Sequence, residues 1–151
     1  TNKPAANAVI AEMTSRLNDI ASKAPAQTQL TEKKLNSAYL ERMQRLGAQL
    51  REGLAKASAA QGYSLRQTGP VQMPQILFDG DGDFRRGFAF ASEMIQRGVY
   101  LHPWHNNFVC AALSEADGAF ALGAAEEAFA AVRKREGTLV PHARLAAVLG
   151  H

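Results

Sequence analysis

A chain of 151 residues has enough material for one domain with a real core. Its hydrophobic fraction of 46% and charged fraction of 21% are ordinary for a soluble globular protein, and a net charge of +3 spread among acidic residues singles out no nucleic-acid partner. One cysteine, Cys110, excludes an internal disulfide framework, and no apolar run approaches the ~20 residues that span a bilayer. With no signal-peptide h-region at the N-terminus, the chain reads as soluble and cytoplasmic, without a membrane partner.

In chain order, Val9, Met13, Leu17 and Ile20 stand at helical spacing. Pro25 to Thr31 is a polar connector, with Thr31 placed to cap the next helix. Leu35, Tyr39, Met43, Leu46, Leu50 and Leu54 then recur every three or four residues, which predicts a long helix with one buried face. Arg42, Arg45, Arg51 and Glu52 fall outside that face, and Gly62 closes the helix. Tyr63 to Gln67 alternates as a strand, Gly69-Pro70 is a turn, and Val71 to Phe78 is a second strand. Pro74 marks the second as an edge or bulge. Asp79-Gly80-Asp81-Gly82-Asp83 has calcium-loop spacing at first sight. Phe84 stands where position six needs glycine and Phe90 where position twelve needs glutamate, so it reads as an exposed turn. Phe84, Phe88, Ala91 and Ile95, broadened by Phe90 and Met94, predict an apolar helix face.

The stretch Arg97 to Asp117 is the densest in side-chain chemistry. Gly98 suits a left-handed helix stop. Val99 to Leu101 predicts a short strand ended by Pro103, and Phe108 to Leu113 a second one. Cys110 lies in that second apolar run and is expected to be buried and inert. Ser114-Glu115-Ala116-Asp117 reads as a helix N-cap with an acidic N3 residue. Leu122, Ala125, Phe129 and Val132 carry the helix that follows, Gly137 ends it, and a short helix over 143–149 lies in the tail. The expected fold class is α+β: a small antiparallel sheet with helices packed on one face, preceded by long helices. The expected division is 1–30, an N-terminal helix and connector; 31–137, a small domain; and 138–151, a tail.

Arg97-Gly98-Val99-Tyr100-Leu101-His102-Pro103, Ser114-Glu115-Ala116-Asp117 and Ala125-Glu126-Glu127-Ala128-Phe129 occur in an order that resembles the C-terminal small domain of class III, fold-type I, pyridoxal-phosphate-dependent aminotransferases. The branch it is most similar to is glutamate-1-semialdehyde aminomutase-like. Upstream, Arg45 to Leu54 is similar to that family's "LG-x-x-L-x-x-GL" helix, and Pro4-Ala5-Ala6-Asn7-Ala8 to the segment that opens an earlier one. The resemblance covers roughly residues 4–135 as an ordered series. It implies an amine or amino acid and a keto or aldehyde acceptor as substrates, and a large domain that carries lysine and cofactor. It also implies a homo-oligomer. The family's threonine that reaches a neighbouring subunit's cofactor falls before residue 1, so Thr1 is not that residue.

Aminotransfer needs a Schiff-base lysine, an acidic partner for the pyridine nitrogen and a phosphate cradle. Lys3, Lys23, Lys33, Lys34, Lys56 and Lys134 all lie in polar faces, connectors or a terminus, and no glycine-rich phosphate loop is present. No catalytic, cofactor-binding or metal residue is therefore assigned to this chain, and pyridoxal phosphate is expected to be held by the absent large domain. Two histidines three apart, His102 and His105, lack a nearby Cys, Asp or Glu to complete a metal site. His102, Trp104, His105, Asn106 and Asn107 can form a hydrogen-bonded corner around a packed Trp104. The resemblance makes them a substrate-side loop. Positions 102–113 contain no arginine to grip a carboxylate, which leaves room for a bulkier or more apolar amine. The reading from a different class is a non-catalytic α+β binding or dimerisation module.

Overall fold

A computed structural model of the protein describes residues 11–16, 18–19 and 26–149. The chain divides into two compact units, one ending at Tyr39 and one beginning at Leu40. In the first, residues 11–16 are helical and Met13 is exposed. Val9, Leu17 and Ile20, and the expected helix opening at residues 4–8, lie outside the described residues.

Helix α1 runs Ala26–Ala60. It starts before the expected cap, because Ala26, Gln27, Gln29 and Leu30 are good helix formers and no glycine or proline interrupts them. Thr31 is therefore inside the helix and does not cap it. The predicted buried face holds only in its second half. Leu46 and Leu54 are buried, whereas Leu35 and Tyr39 are 49% and 44% exposed. Arg42, expected on a solvated face, is half-buried and donates to the carbonyl of Leu113. At Gly47 a Cβ would lie 2.3 Å from the Val71 carbonyl oxygen, so only glycine lets α1 approach the chain there so closely.

Strands β1 (Leu65–Thr68) and β2 (Gln75–Phe78) pair antiparallel, Leu65 opposite Phe78 and Thr68 opposite Gln75. Both are shorter than the predicted Tyr63–Gln67 and Val71–Phe78. Along β2, Ile76 and Phe78 turn into the core. The predicted strands Val99–Leu101 and Phe108–Leu113 do not join the sheet. Residues 107–109 do run alongside 72–74: Asn107 donates to the Pro74 carbonyl and Val109 to that of Gln72, both at 2.9 Å. Pro74 has no N–H to return the bond, so the pairing does not close into a ladder. This segment is extended, with Val109 buried and Phe108 and Cys110 facing out. Cys110 is thus exposed, contrary to the expectation of a buried thiol.

Helix α2 (Arg85–Gln96) turns Phe90, Ala91 and Met94 into the core. Phe84 and Phe88 are left half-buried and Ile95 exposed, so the inward face is centred on the residues expected only to broaden it. The acidic turn before it is a capping device: the Asp81 carboxylate accepts from the backbone N–H groups of Arg86 and Gly87 at 3.1 and 2.9 Å, and Asp83 from that of Arg85 at 3.2 Å. The helix stops as expected at Gly98, whose φ of 81° is left-handed, with Val99 N–H returning to the Met94 carbonyl. Helix α3 (Glu115–Lys134) opens on the expected box. Ser114 Oγ accepts from Asp117 N–H, and Asp117 accepts from Ser114 N–H. A 3-10 turn (Glu136–Thr138) and helix α4 (Ala143–Leu149) complete the chain.

The core of the second unit is aromatic. Phe90 stacks on Phe129 with centroids 4.2 Å apart, Phe78 packs between them and Tyr63, and Phe129 and Val132 have no exposed surface. Small Ala124, Ala125 and Ala128 let α3 settle against these rings. The observed class is α+β, as expected, with a two-stranded antiparallel sheet.

Candidate functional site

The corner from His102 to Asn107 follows from two local constraints. Gly98 reverses the chain out of α2, and the box at Ser114 starts α3, so the intervening residues leave and return at fixed points. Within the corner the hydrogen bonds are mostly internal. Asn107 Oδ1 accepts from His102 N–H at 3.0 Å, and its Nδ2 donates to the His105 carbonyl at 3.4 Å. His102 Nδ1 accepts from the N–H groups of His105 and Trp104 at 3.0 and 3.4 Å. From outside, Gln75 Nε2 of β2 donates to the Trp104 carbonyl at 2.7 Å. The loop is tied to the sheet edge through its backbone.

Trp104, 36% exposed, covers an aromatic patch. Its ring lies 4.9 Å from Phe88, 5.9 Å from Phe84 and 4.8 Å from His102, and Phe88 is also stacked by His142 at 4.6 Å. Phe84 holds φ 57°, an uncommon conformation for a residue with a side chain. The five sequence-predicted residues are therefore together. Their surroundings also include four that sequence reasoning did not associate with them. Gln75 lies in a strand, Phe84 and Phe88 read as core, and His142 lies in the tail. The one available signal was that Phe84 and Phe88 stand four residues apart in the sequence, at helical spacing.

Beside the loop is a groove of about 700 Å³. His102, His105, Asn106 and Asn107 line its polar side, and Leu50, Met94, Leu101, Val109 and Phe120 are among its apolar lining. The groove widens the candidate site beyond the loop itself. It is mostly apolar, as binding clefts commonly are.

No family model matches the chain. It is 46% identical over 112 residues to an aminopentol aminotransferase of Sphingopyxis macrogoltabida, which takes in 74% of this chain and 26% of that enzyme. Among solved structures, the FumI protein of Sphingopyxis sp. MTA144, in its PLP internal aldimine form, is 47% identical and superposes with a TM-score of 0.70 over 71% of this chain and 26% of that one. The chain is related to pyridoxal-phosphate-dependent aminotransferases. It spans about a quarter of their length. A PLP-bound transaminase (16% identical, TM-score 0.61, 65% of this chain and 24% of that one) shares the fold. So does an omega-transaminase from Sphaerobacter thermophilus (18%, 0.58, covering 67% and 26%).

The described residues do not by themselves fit the cofactor. Lys34, Lys56 and Lys134 lie on exposed helix surface, and none lines the groove. Lys3 and Lys23 lie outside the described residues, and Lys33 lies within α1. The acidic groups near the corner are engaged: Asp81 caps α2, and Asp117 closes the box with Ser114. A Schiff-base lysine with an acid across a pyridine ring is not assembled among them. The aminotransferase cofactor belongs to the larger part of such enzymes.

Proposed function

We propose that this chain is the C-terminal small-domain part of a class III, fold-type I aminotransferase, which moves an amino group between an amine or amino acid and a keto or aldehyde acceptor. The observation that carries this reading is the 47% identity to FumI along a shared fold of TM-score 0.70. In this reading the enzyme is oligomeric and cytoplasmic, and lysine and pyridoxal phosphate are supplied by the large domain. Residues His102, Trp104, His105, Asn106 and Asn107 shape the substrate entrance. The relative's name gives its substrate as an amine bearing five hydroxyls. A corner of imidazole, indole and amide groups without an arginine suits a neutral, hydroxylated amine better than a carboxylate.

The test is Trp104→Ala in the complete enzyme that carries this segment. A lost shape contact costs about 1–3 kcal/mol, so the ratio of kcat/KM between bulky and small amines should change about 10–200-fold while small amines still react. An equal loss for every amine would make the loop structural or catalytic and defeat the substrate reading.

A further inference from the structure

We propose that His102 is the positioning residue of the corner: its neutral imidazole, as acceptor at Nδ1, holds the Trp104–Asn107 loop in its display, and protonation there releases it. The proposal deepens the substrate-loop reading and depends on it for its functional consequence, but not for its geometry. Two backbone N–H groups converge on one ring nitrogen, those of His105 at 3.0 Å and Trp104 at 3.4 Å. A nitrogen that accepts two donors cannot carry a proton, so the neutral ring must hold its hydrogen on Nε2. Asn107 completes the lock from the far end, accepting from the His102 N–H at 3.0 Å. The ring also stands edge-on to the indole at 4.8 Å, so backbone and side chain of Trp104 are fixed by the same group. His102 and Asn107, half-buried at the edge of the groove, thus act mainly by holding the loop, which leaves Trp104, His105 and Asn106 exposed.

Protonating Nδ1 turns an acceptor for two amides into a third donor facing them, which is worse than losing the bonds. The ionisable groups around this corner are few. His105 lies in the loop, its ring 5.6 Å from that of His102. Arg66 of β1 and Asp81 line a cavity with Pro103, Asp117 of α3 lines the groove with His102, as do Tyr100 and Cys110, and His142 stacks on Phe88. Helix α1 contributes only Leu46, Leu50 and Leu54 to the groove. No carboxylate is hydrogen-bonded to His102 among the described residues, so nothing there compensates an imidazolium directly.

The experiment is nitrogen-15 NMR on this chain and two variants. His102→Asn places an oxygen that accepts but does not titrate near the position of Nδ1, and His102→Leu removes the acceptor. In the wild type, the His102 ring should show the Nε2-protonated form at neutral pH. Exchange of the Trp104 and His105 amides, relative to their intrinsic rates, should rise on acidification, as the ring takes a proton on Nδ1. His102→Asn should keep the protection and abolish the acid step. His102→Leu should raise exchange of these two amides at every pH, by roughly 2- to 10-fold each for one net hydrogen bond. A proton on Nδ1 at neutral pH, an acid step that persists in His102→Asn, or unchanged exchange in His102→Leu would each overturn the proposal. Should His102→Leu fail to fold, the tautomer and the His102→Asn titration still decide. These readouts need no substrate, so their failure is distinct from a failure of Trp104→Ala to shift amine preference.

Discussion

Helix α2 contributes to two aromatic clusters that look alike on paper. Toward the core it sends Phe90, which stacks on Phe129 at 4.2 Å and packs near Phe78 at 5.8 Å. Toward the corner it sends Phe88, which meets Trp104 at 4.9 Å and His142 at 4.6 Å. The core rings are closed off from water, with Phe90 only 3% exposed. The corner rings are half-covered, and the loop over them is held by side-chain to backbone hydrogen bonds. Similar ring geometry therefore serves two ends. Burial on all sides makes a cluster stabilise the fold, while one open face lets a cluster present groups to a ligand.

The most direct way to break this contrast is to truncate each ring on the same helix. Phe90→Ala empties a closed site and should cost about 3–5 kcal/mol, enough to unfold much of the second unit. Phe88→Ala should cost about 1 kcal/mol, the scale of one aromatic pair, because water can fill the space it leaves. Urea melts of the two variants measure the gap. Equal losses would mean that the corner is as structural as the core.

A smaller effect sharpens the core side. Tyr63 is the core ring with a polar end: its hydroxyl donates to Glu136 Oε2 at 2.6 Å, and Arg86 grips the other carboxylate oxygen at 2.7 Å. Burial, reinforced by the Glu136 hydrogen bond and charge, pushes the phenol up from 10.0 to about 12. The folded state therefore holds this proton more tightly than the unfolded chain. That contribution is fully present below pH 10 and is lost as pH rises toward about 12. Tyr63→Phe should lose about 1 kcal/mol at neutral pH and show a shallower alkaline decline than the wild type. The urea midpoint followed from pH 8 to 11 tests both signs.

Much of this was legible in the residues. The stop at Gly98, the box at Ser114 and Asp117, and the pairing of two strands around Gly69-Pro70 are local chemistry, and local chemistry is what a sequence states openly. The corner was read the same way, as a polar run between apolar ones, and a hydrogen-bonded turn stands there. What stayed hidden was tertiary. Nothing in the spelling of Phe108 to Leu113 says that its neighbour would be Pro74, which leaves the pairing one-directional and Cys110 in solvent. Periodicity marked Leu35, Tyr39, Leu46 and Leu54 alike as apolar without saying that the first two are exposed and the last two buried. Likewise Gln75 and His142 joined the corner only when distant segments met.

The smallest expected effect lies at the far end of the corner, where α3 begins. Ser114 Oγ accepts from Asp117 N–H at 3.2 Å, and Asp117 Oδ2 takes both the Ser114 hydroxyl and its N–H at 2.7 Å. The hydroxyl first, then the backbone donor, hold the Asp117 carboxyl below its ordinary value of 3.8. The carboxylate is thus favoured in the folded state. Its contribution is present above pH 3.8 and disappears as pH falls through the lower folded value. Ser114→Ala removes the hydroxyl that accepts from the Asp117 N–H and donates to its carboxylate, leaves the Ser114 N–H bond in place, and should lower stability by about 1 kcal/mol at neutral pH. It should also weaken the acid dependence, since the carboxyl loses the first of its two stabilising partners. Thermal melts at pH 3 and pH 7 measure the difference between the two proteins. If the box only stabilises α3, the Trp104 and His105 amides should keep their wild-type exchange in Ser114→Ala. Faster exchange there would mean that the corner depends on where α3 begins as well as on His102, and the division between fold and display would not hold at that end.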